Sequence, residues 1–499
     1  MPEWLRERAR VTPSKVALWV GERHWTYQAL DQLVELCSQQ LSEAGIGAGS
    51  IVAVLMPNSV GYVALVHALA RLESVLLPLN TRLTKEELAW QLAHCGCSLL
   101  ICDDSTAATA AALPATVLQL DSTDTPSLTQ LKTIGGQSKV DDQHPENLQS
   151  IIFTSGTTGR PKGVMLTFDN HFWSATASSY RLGLAVNDLW LSCLPLYHVG
   201  GLAIIFRSCL YGTAVDLHSR FDVETVSDRL DKLPVTLISL VPTMVNRLLD
   251  YRRGRPWSDS MRHVLVGGAA TTPALAERCQ ALGIPLATTY GLTEASSQVA
   301  TQVADDVWRK PGSVGKPLMF GTVRILNDAG NACQPEEIGE IHVSGPNVMA
   351  GYYGNPEANQ RTLVAGELRT GDLGYLDRDG DLWLVQRRSD LIVSGGENIY
   401  PAEVERVLSA HPAVVAVCVV GIPNTEWGQQ PSAMVQLSPG SQVDIAELER
   451  HCRQSLAGYK VPRIWQLVAA LPQTGSGKVH RQEVREILLQ LQSNDPAAN

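Results

Sequence analysis

Hydrophobic positions along the first hundred residues come in short unbroken runs that alternate with longer amphipathic stretches. VALWV predicts a strand. Thr26 can then cap a helix over TYQALDQLVELCSQQLSEAG that stops near Gly45. IVAVLMPN reads as a strand buried on both faces, VGYVALVHALARLE as a helix and SVLLPLN as the next strand. TKEELAWQLAHCG carries Thr84 and Glu87 at capping-box spacing, and the strand SLLICDD follows. Strands that alternate with helices imply crossover connections and a largely parallel sheet.

The rhythm lapses over residues 104–147, rich in Ser, Thr, Ala and Asp, where one strand at most is expected. It resumes at IIFTSG, with strands near SCLPL, TLISLVP, HVLVGG and LATTYG. Beyond about residue 312, GTVRILNDAG, GEIHVSG and GDLWLVQRRSD place Gly and Asp turns between alternating strands, which predicts an antiparallel section. After Asp390, AEVERVLSAHP reads as a helix and VVAVCVVGI as a strand of a compact tail. The fold class expected is therefore α/β. A large N-terminal part has mostly parallel sheets with helices plus an antiparallel subdomain, and a small α+β tail follows it.

Composition narrows the function. A chain of 499 residues needs more than one core. Its formal charge of −10 and lack of a basic run speak against wrapping nucleic acid. MPEWLRERARVTP is charged from its third residue, so no signal peptide is expected. GGLAIIFRSCLYG is short and broken by Arg207, so no membrane span is expected either. Cys95, Cys97 and Cys102 lie near His94, but no second ligand pair has zinc-site spacing, and buried free thiols in a cytoplasmic protein are the better reading.

Four loops carry candidate chemistry. TSGTTGRPKGV, residues 154–164, follows an apolar strand and offers backbone N–H groups, hydroxyls and one lysine to an anion. It is not the common triphosphate loop, because Lys162 stands between Pro161 and Gly163. In YGLTE, Tyr290 could stack on a base, Thr293 could bind a phosphate oxygen and Glu294 could ligate Mg²⁺. RTGDLG places Asp372 in an expected tight turn, where a carboxylate suits a ribose diol, and LPQTGSGKVHR offers Lys478. Any one of these could be a solvated turn.

Together and in this order they resemble the ANL superfamily of adenylate-forming enzymes, which includes acyl-CoA synthetases, over almost the whole chain. The resemblance implies ATP, Mg²⁺ and coenzyme A as cofactor and co-substrates. Thr154, Ser155, Gly156, Thr157, Thr158, Gly159 and Lys162 would hold the β- and γ-phosphates. Gly267, Gly268 and Ala269, with Tyr290 and Gly291, would line the adenine and acyl pocket. Thr293 would meet the α-phosphate, Glu294 the metal, Asp372 the ribose, Arg387 the ribose or phosphate, and Lys478 the carboxylate and α-phosphate. The resemblance also implies a large N-terminal domain of residues 1–388 and a small, mobile C-terminal domain of residues 389–499, with Ser389 as the hinge, although Gln386 and Ser389 both depart from the residues usual there.

The acyl group is addressed by two further residues. His198, in LPLYH, matches the family position that gates or lines the acyl site, although a packed histidine would look the same. Arg207 interrupts an apolar helix, and a buried guanidinium needs an anion or must reach water, so an aromatic dicarboxylate is the expected substrate, with a mere salt bridge at the pocket rim as the alternative. Ser297 is a second candidate for recognising its distal carboxylate. The alternatives are another aryl- or acyl-CoA ligase and a stand-alone enzyme that loads a carrier protein. Bacterial members are often dimers, so a homo-oligomer is compatible with this reading.

Overall fold

The computed structural model describes residues 3–121, 127–129, 145, 147–154, 160–269, 271, 273–386, 391–438, 440–472 and 479–494. The chain forms two compact units. The first comprises residues 1–81, 89–153 and 163–386, and the second residues 82–88, 154–162 and 387–499.

In the first unit the apolar runs become strands whose residues are all buried: Ile51–Leu55, Val75–Pro78 and Leu99–Cys102. They pair in parallel, with Ala53 opposite both Leu77 and Leu100. Apolar runs without alternation suit a sheet covered on both faces, where neither side chain row meets water. The helix Tyr27–Glu43 starts where expected, its first turn closed by the Ala29 N–H donating to Thr26 Oγ1 at 3.1 Å. In the 82–88 segment of the second unit, the Thr84–Glu87 capping box also forms. The Thr84 N–H donates to Glu87 Oε2 at 2.8 Å and the Glu87 N–H to Thr84 Oγ1 at 3.3 Å.

Two expectations need correction. Residues 104–147 hold two strands among those described, not one: Thr116–Asp121 lies parallel to Leu99–Cys102, and Ser127–Thr129 returns antiparallel to it. One strand in from the sheet's edge, TVLQLD alternates buried and more open positions, and the surrounding Ser, Thr and Ala mask that weak pattern. The strand expected near SCLPL lies mostly before it, at Leu189–Ser192, because Pro195 has no N–H to give to a central ladder.

Among the described residues a larger sheet has 14 strands and positions most of the candidate residues of the first unit. Leu189–Ser192, Leu237–Leu240, His263–Val266 and Leu286–Leu292 run parallel as successive neighbours. From Ser297–Gln302 onward the sheet turns antiparallel, somewhat earlier than the glycine-rich texture suggests. In the second unit, Val414–Asn424 and Gly428–Leu437 form a long antiparallel hairpin, with Ile464–Val468 parallel to the latter. Pro401–Ser409 and Ile445–Ser455 supply Val404 and Leu448 to a core shared with Val419, Val435 and Val461. This is the mixed α/β arrangement of a large and a small body that the sequence predicts.

Nine of the ten free cysteines are buried, Cys95, Cys97 and Cys102 among them, and burial pushes the Cys97 thiol up to about 11. Such thiols are packing groups at neutral pH. No helix among the described residues is long and apolar enough to cross a membrane.

Candidate active site

In an open α/β sheet, ligands bind beyond the carboxyl ends of the parallel strands, where helix starts and loops converge. Several candidate residues of the first unit follow the carboxyl ends of these strands. His198 closes the connection after Leu189–Ser192 and precedes the helix Val199–Tyr211. Gly267, Gly268 and Ala269 directly follow His263–Val266. Tyr290 and Gly291 end the strand Leu286–Leu292, and Thr293 and Glu294 open a single 3-10 turn, Thr293–Ala295.

Their packing explains the residue types. A Cβ on Gly267 would lie 2.8 Å from Thr289 Cγ2, and Gly268 has φ +80°, so neither position accommodates a side chain without strain. Gly291 is more constrained, since a Cβ would stand 1.8 Å from the Ser297 carbonyl oxygen. That close approach folds Ser296 and Ser297 back over the strand end with φ of 53° and 99°. Positive φ in side-chain-bearing residues stores strain of about 1–3 kcal/mol each, and such strain gathers at ligand clamps.

Two carboxylates face this region, each held by a buried tyrosine. Tyr290 is 1% exposed and its hydroxyl donates to Asp372 Oδ2 at 2.6 Å. Asp372 sits in the ten-residue strand Glu367–Leu376, not in the tight turn expected for RTGDLG. The glycines produce irregular pairing within a strand instead: Gly371 has φ 72°, and the register shifts between Leu373 and Gly374. Glu294 is likewise buried, with Oε1 accepting from the Tyr352 hydroxyl at 2.9 Å and its backbone carbonyl from the Met349 N–H at 2.8 Å. Among the described residues only Oε1 is engaged, so the carboxylate keeps an oxygen for a cation. One carboxylate completed by water and substrate phosphates fits Mg²⁺.

Arg207 is 2% exposed on the helix Val199–Tyr211. It makes no ion pair among the described residues, and its Nε has no hydrogen-bond partner. Nη2 donates to Ser174 Oγ at 3.4 Å, and the guanidinium lies 5.9 Å from the centre of the Trp190 ring. Burial pushes its pKa down, and the same charge helps hold the neighbouring His171 down at about 3. His198 is half-buried with its ring 4.7 Å from that of Tyr197, and its side chain does not cap the helix that it precedes. Ser297 is half-buried at the start of Ser297–Gln302.

Thr154 ends the strand Leu148–Thr154 and Lys162 begins Lys162–Thr167. Ser155, Gly156, Thr157, Thr158, Gly159, Arg387, Ser389 and Lys478 lie outside the described residues. Sequence reasoning missed Tyr352 and Ser174. Tyr352 lies in GPNVMAGYY, whose buried tyrosine pattern gives no hint of a carboxylate partner, and Ser174 reads as an ordinary helix residue.

Residues 5–353 match the family described as AMP-binding enzyme, and residues 403–478 match the AMP-binding enzyme C-terminal domain. The chain belongs to the AMP-binding enzyme family. Among relatives of this AMP-binding enzyme, 2-succinylbenzoate–CoA ligase of Geobacillus kaustophilus is 40% identical over 500 residues, covering 98% of each chain. The o-succinylbenzoate CoA synthetase of Bacillus subtilis, a double mutant solved with the product analogue OSB-NCoA, superposes with a TM-score of 0.88 at 37% identity, covering 97% of this chain and 98% of that one. The same Bacillus subtilis enzyme in complex with ATP and magnesium ion gives 0.71 at 37% identity, covering 97% and 99%. The acyl-CoA synthetase-like fold inferred from the sequence is thus shared over nearly the full length.

Proposed function

We propose that this AMP-binding enzyme is an AMP-forming acid–thiol ligase that converts 2-succinylbenzoate, ATP and coenzyme A into 2-succinylbenzoyl-CoA, AMP and pyrophosphate, a step of menaquinone biosynthesis. The full-length likeness to enzymes named for this reaction supports the ligase chemistry. The observation that carries the choice of acid is Arg207, a buried guanidinium without an ion-pair partner among the described residues. A fatty acid would leave that charge uncompensated, whereas the benzoate carboxylate of a diacid pairs with it. We place the reaction in the cytoplasm, where ATP and coenzyme A are both supplied.

In the first half-reaction an oxygen of the succinyl carboxylate attacks the α-phosphorus, and the bond to pyrophosphate breaks. Two anions must meet, so the site has to offset their repulsion. Asp372, oriented by Tyr290, would accept from the ribose hydroxyls, and Gly267–Ala269 would leave space beside the adenine. Thr293 would donate to the α-phosphate. Glu294, steadied by Tyr352, would hold the magnesium ion, which when bound neutralises phosphate charge. Lys162 and the hydroxyls of the 154–164 loop would hold the departing pyrophosphate, and Lys478 would contact both carboxylate and α-phosphate. In the second half-reaction the thiolate of coenzyme A attacks the acyl carbon and AMP leaves. His198 would line the acyl path throughout.

The test is a panel of carboxylates given to purified protein with ATP, Mg²⁺ and coenzyme A, the thioesters then identified by mass. We expect 2-succinylbenzoate to be turned over at least about a hundredfold better, in kcat/KM, than benzoate or a medium-chain fatty acid. Comparable turnover of a monocarboxylate would sink the choice of acid while leaving the ligase chemistry intact.

A further inference from the structure

A serine within a helix ordinarily satisfies its hydroxyl on its own backbone, donating to the carbonyl four residues back. Ser38 does this, at 2.7 Å from the Val34 carbonyl, and Thr176 does the same at 2.8 Å from Phe172. Ser174, in the helix Phe168–Leu182, does not. Its hydroxyl donates to the carbonyl of Ser296 at 2.5 Å while Oγ accepts from Arg207 Nη2 at 3.4 Å. All three residues are buried, at 2% exposure for Ser174 and Arg207 and 0% for Ser296. One small side chain thus joins the guanidinium to the strained turn that follows Thr293 and Glu294.

We propose that Ser174 is a positioning residue for recognition of the distal carboxylate, fixing Arg207 and the Ser296 turn in one arrangement. This rests on the reading of Arg207 as the partner of that carboxylate. A hydroxyl has one proton and two lone pairs. Because its proton is committed to the Ser296 carbonyl, the oxygen can only accept, and the group it accepts from is the guanidinium. Arg207 is thereby held by one nitrogen while Nε stays unpaired, so a carboxylate meets an oriented cation. On the other side, the hydrogen bond restrains a carbonyl of a residue at φ 53°, and Ser296 Oγ donates in turn to the Asn347 carbonyl at 2.8 Å. The turn is held from that side too, so Ser174 ties the cation that selects the acid to a fixed point of the backbone.

The experiment compares wild type, Ser174→Ala, Ser174→Thr and Arg207→Leu on two acids: 2-succinylbenzoate and its analogue without the ring carboxylate. Thermal unfolding accompanies each variant, and kcat and KM are measured separately. Ser174→Ala is expected to raise KM for the diacid about tenfold with kcat within about threefold, and to leave the analogue's KM nearly unchanged. Ser174→Thr, which keeps the hydroxyl, restores most of the diacid KM. Equal losses on both acids, or a loss in kcat alone, would mean that Ser174 serves only packing, and would overturn the proposal. If Arg207→Leu removes the preference for the diacid while Ser174→Ala does not, the Ser174 role alone falls. If Arg207→Leu leaves the preference intact, the reading of Arg207 fails and this inference fails with it.

Discussion

Burial decides what the single side chains around this site can do. The Tyr290 hydroxyl donates to the Asp372 carboxylate, and a hydrogen bond to a charged group contributes about 1.5–3 kcal/mol. Tyr290→Phe should therefore weaken AMP binding about tenfold or more by calorimetry, through loss of Asp372 orientation, with little change in the affinity for coenzyme A. Unchanged AMP affinity would separate Tyr290 from the ribose site. His171 makes a different prediction. Its ring lies 4.6 Å from that of Phe206, and burial, then Arg207, holds its pKa at about 3 against 6.5 for the free side chain. His67, on the same phenylalanine at 6.2 Å, is held at about 4 by burial and then Arg71. Both are neutral when folded and charge when unfolded, so the unfolded chain binds more protons below pH 6.5. Stability is then fully present above about pH 6.5 and falls with pH towards the folded values, by about 2 kcal/mol for His171 at pH 5. Urea unfolding at pH 7 and pH 5 should show His171→Gln losing less stability over that interval than wild type. Parallel losses would remove His171 from the acid response.

Elements differ in how plainly the sequence announces them. The strands Ile51–Leu55 and Leu99–Cys102 are legible because a buried parallel strand needs an apolar run, and the helix starts at Thr26 and Thr84 because capping is local chemistry. Glu367–Leu376 is hidden for the opposite reason: RTGDLG looks like a turn, and only its pairing with two neighbouring strands reveals a bulged ladder. The same contrast holds for glycines. Gly291 and Gly47 look alike in the sequence, yet a Cβ on Gly291 meets a backbone oxygen at 1.8 Å whereas nothing lies within 4 Å of one on Gly47. Because the obstacle is backbone and cannot rotate away, Gly291→Ala should destabilise by about 3 kcal/mol or more. Gly47→Ala should stay within about 1 kcal/mol of wild type. Denaturant midpoints measure both, and similar values for the two would show that the Ser296–Ser297 turn yields easily.

For the whole molecule, the sequence signalled the reaction class more clearly than the wiring of the site. TSGTTGRPKGV, YGLTE and SGKVHR are recognisable because phosphate and carboxylate chemistry restricts residue types within short segments. The bonds from Tyr352 to Glu294 and from Ser174 to Ser296 join residues far apart in the chain, and no local pattern encodes them. Distance along the chain also gives a functional prediction. Thr293 and Glu294 belong to the first unit and Lys478 to the second, so the two half-reactions need not depend equally on both. Adenylation joins two anions and gains most from an added cation, whereas thiolate attack on a neutral acyl carbon expels AMP without that encounter. Lys478→Ala should lower the rate of acyl-adenylate formation by about a hundredfold or more, while supplied acyl-adenylate and coenzyme A react within about threefold of the wild-type rate. Single-turnover measurements of pyrophosphate release and of thioester formation separate the steps. Equal losses in both would mean that Lys478 acts outside the adenylation step, through the fold of the second unit, and its role would have to be reassigned.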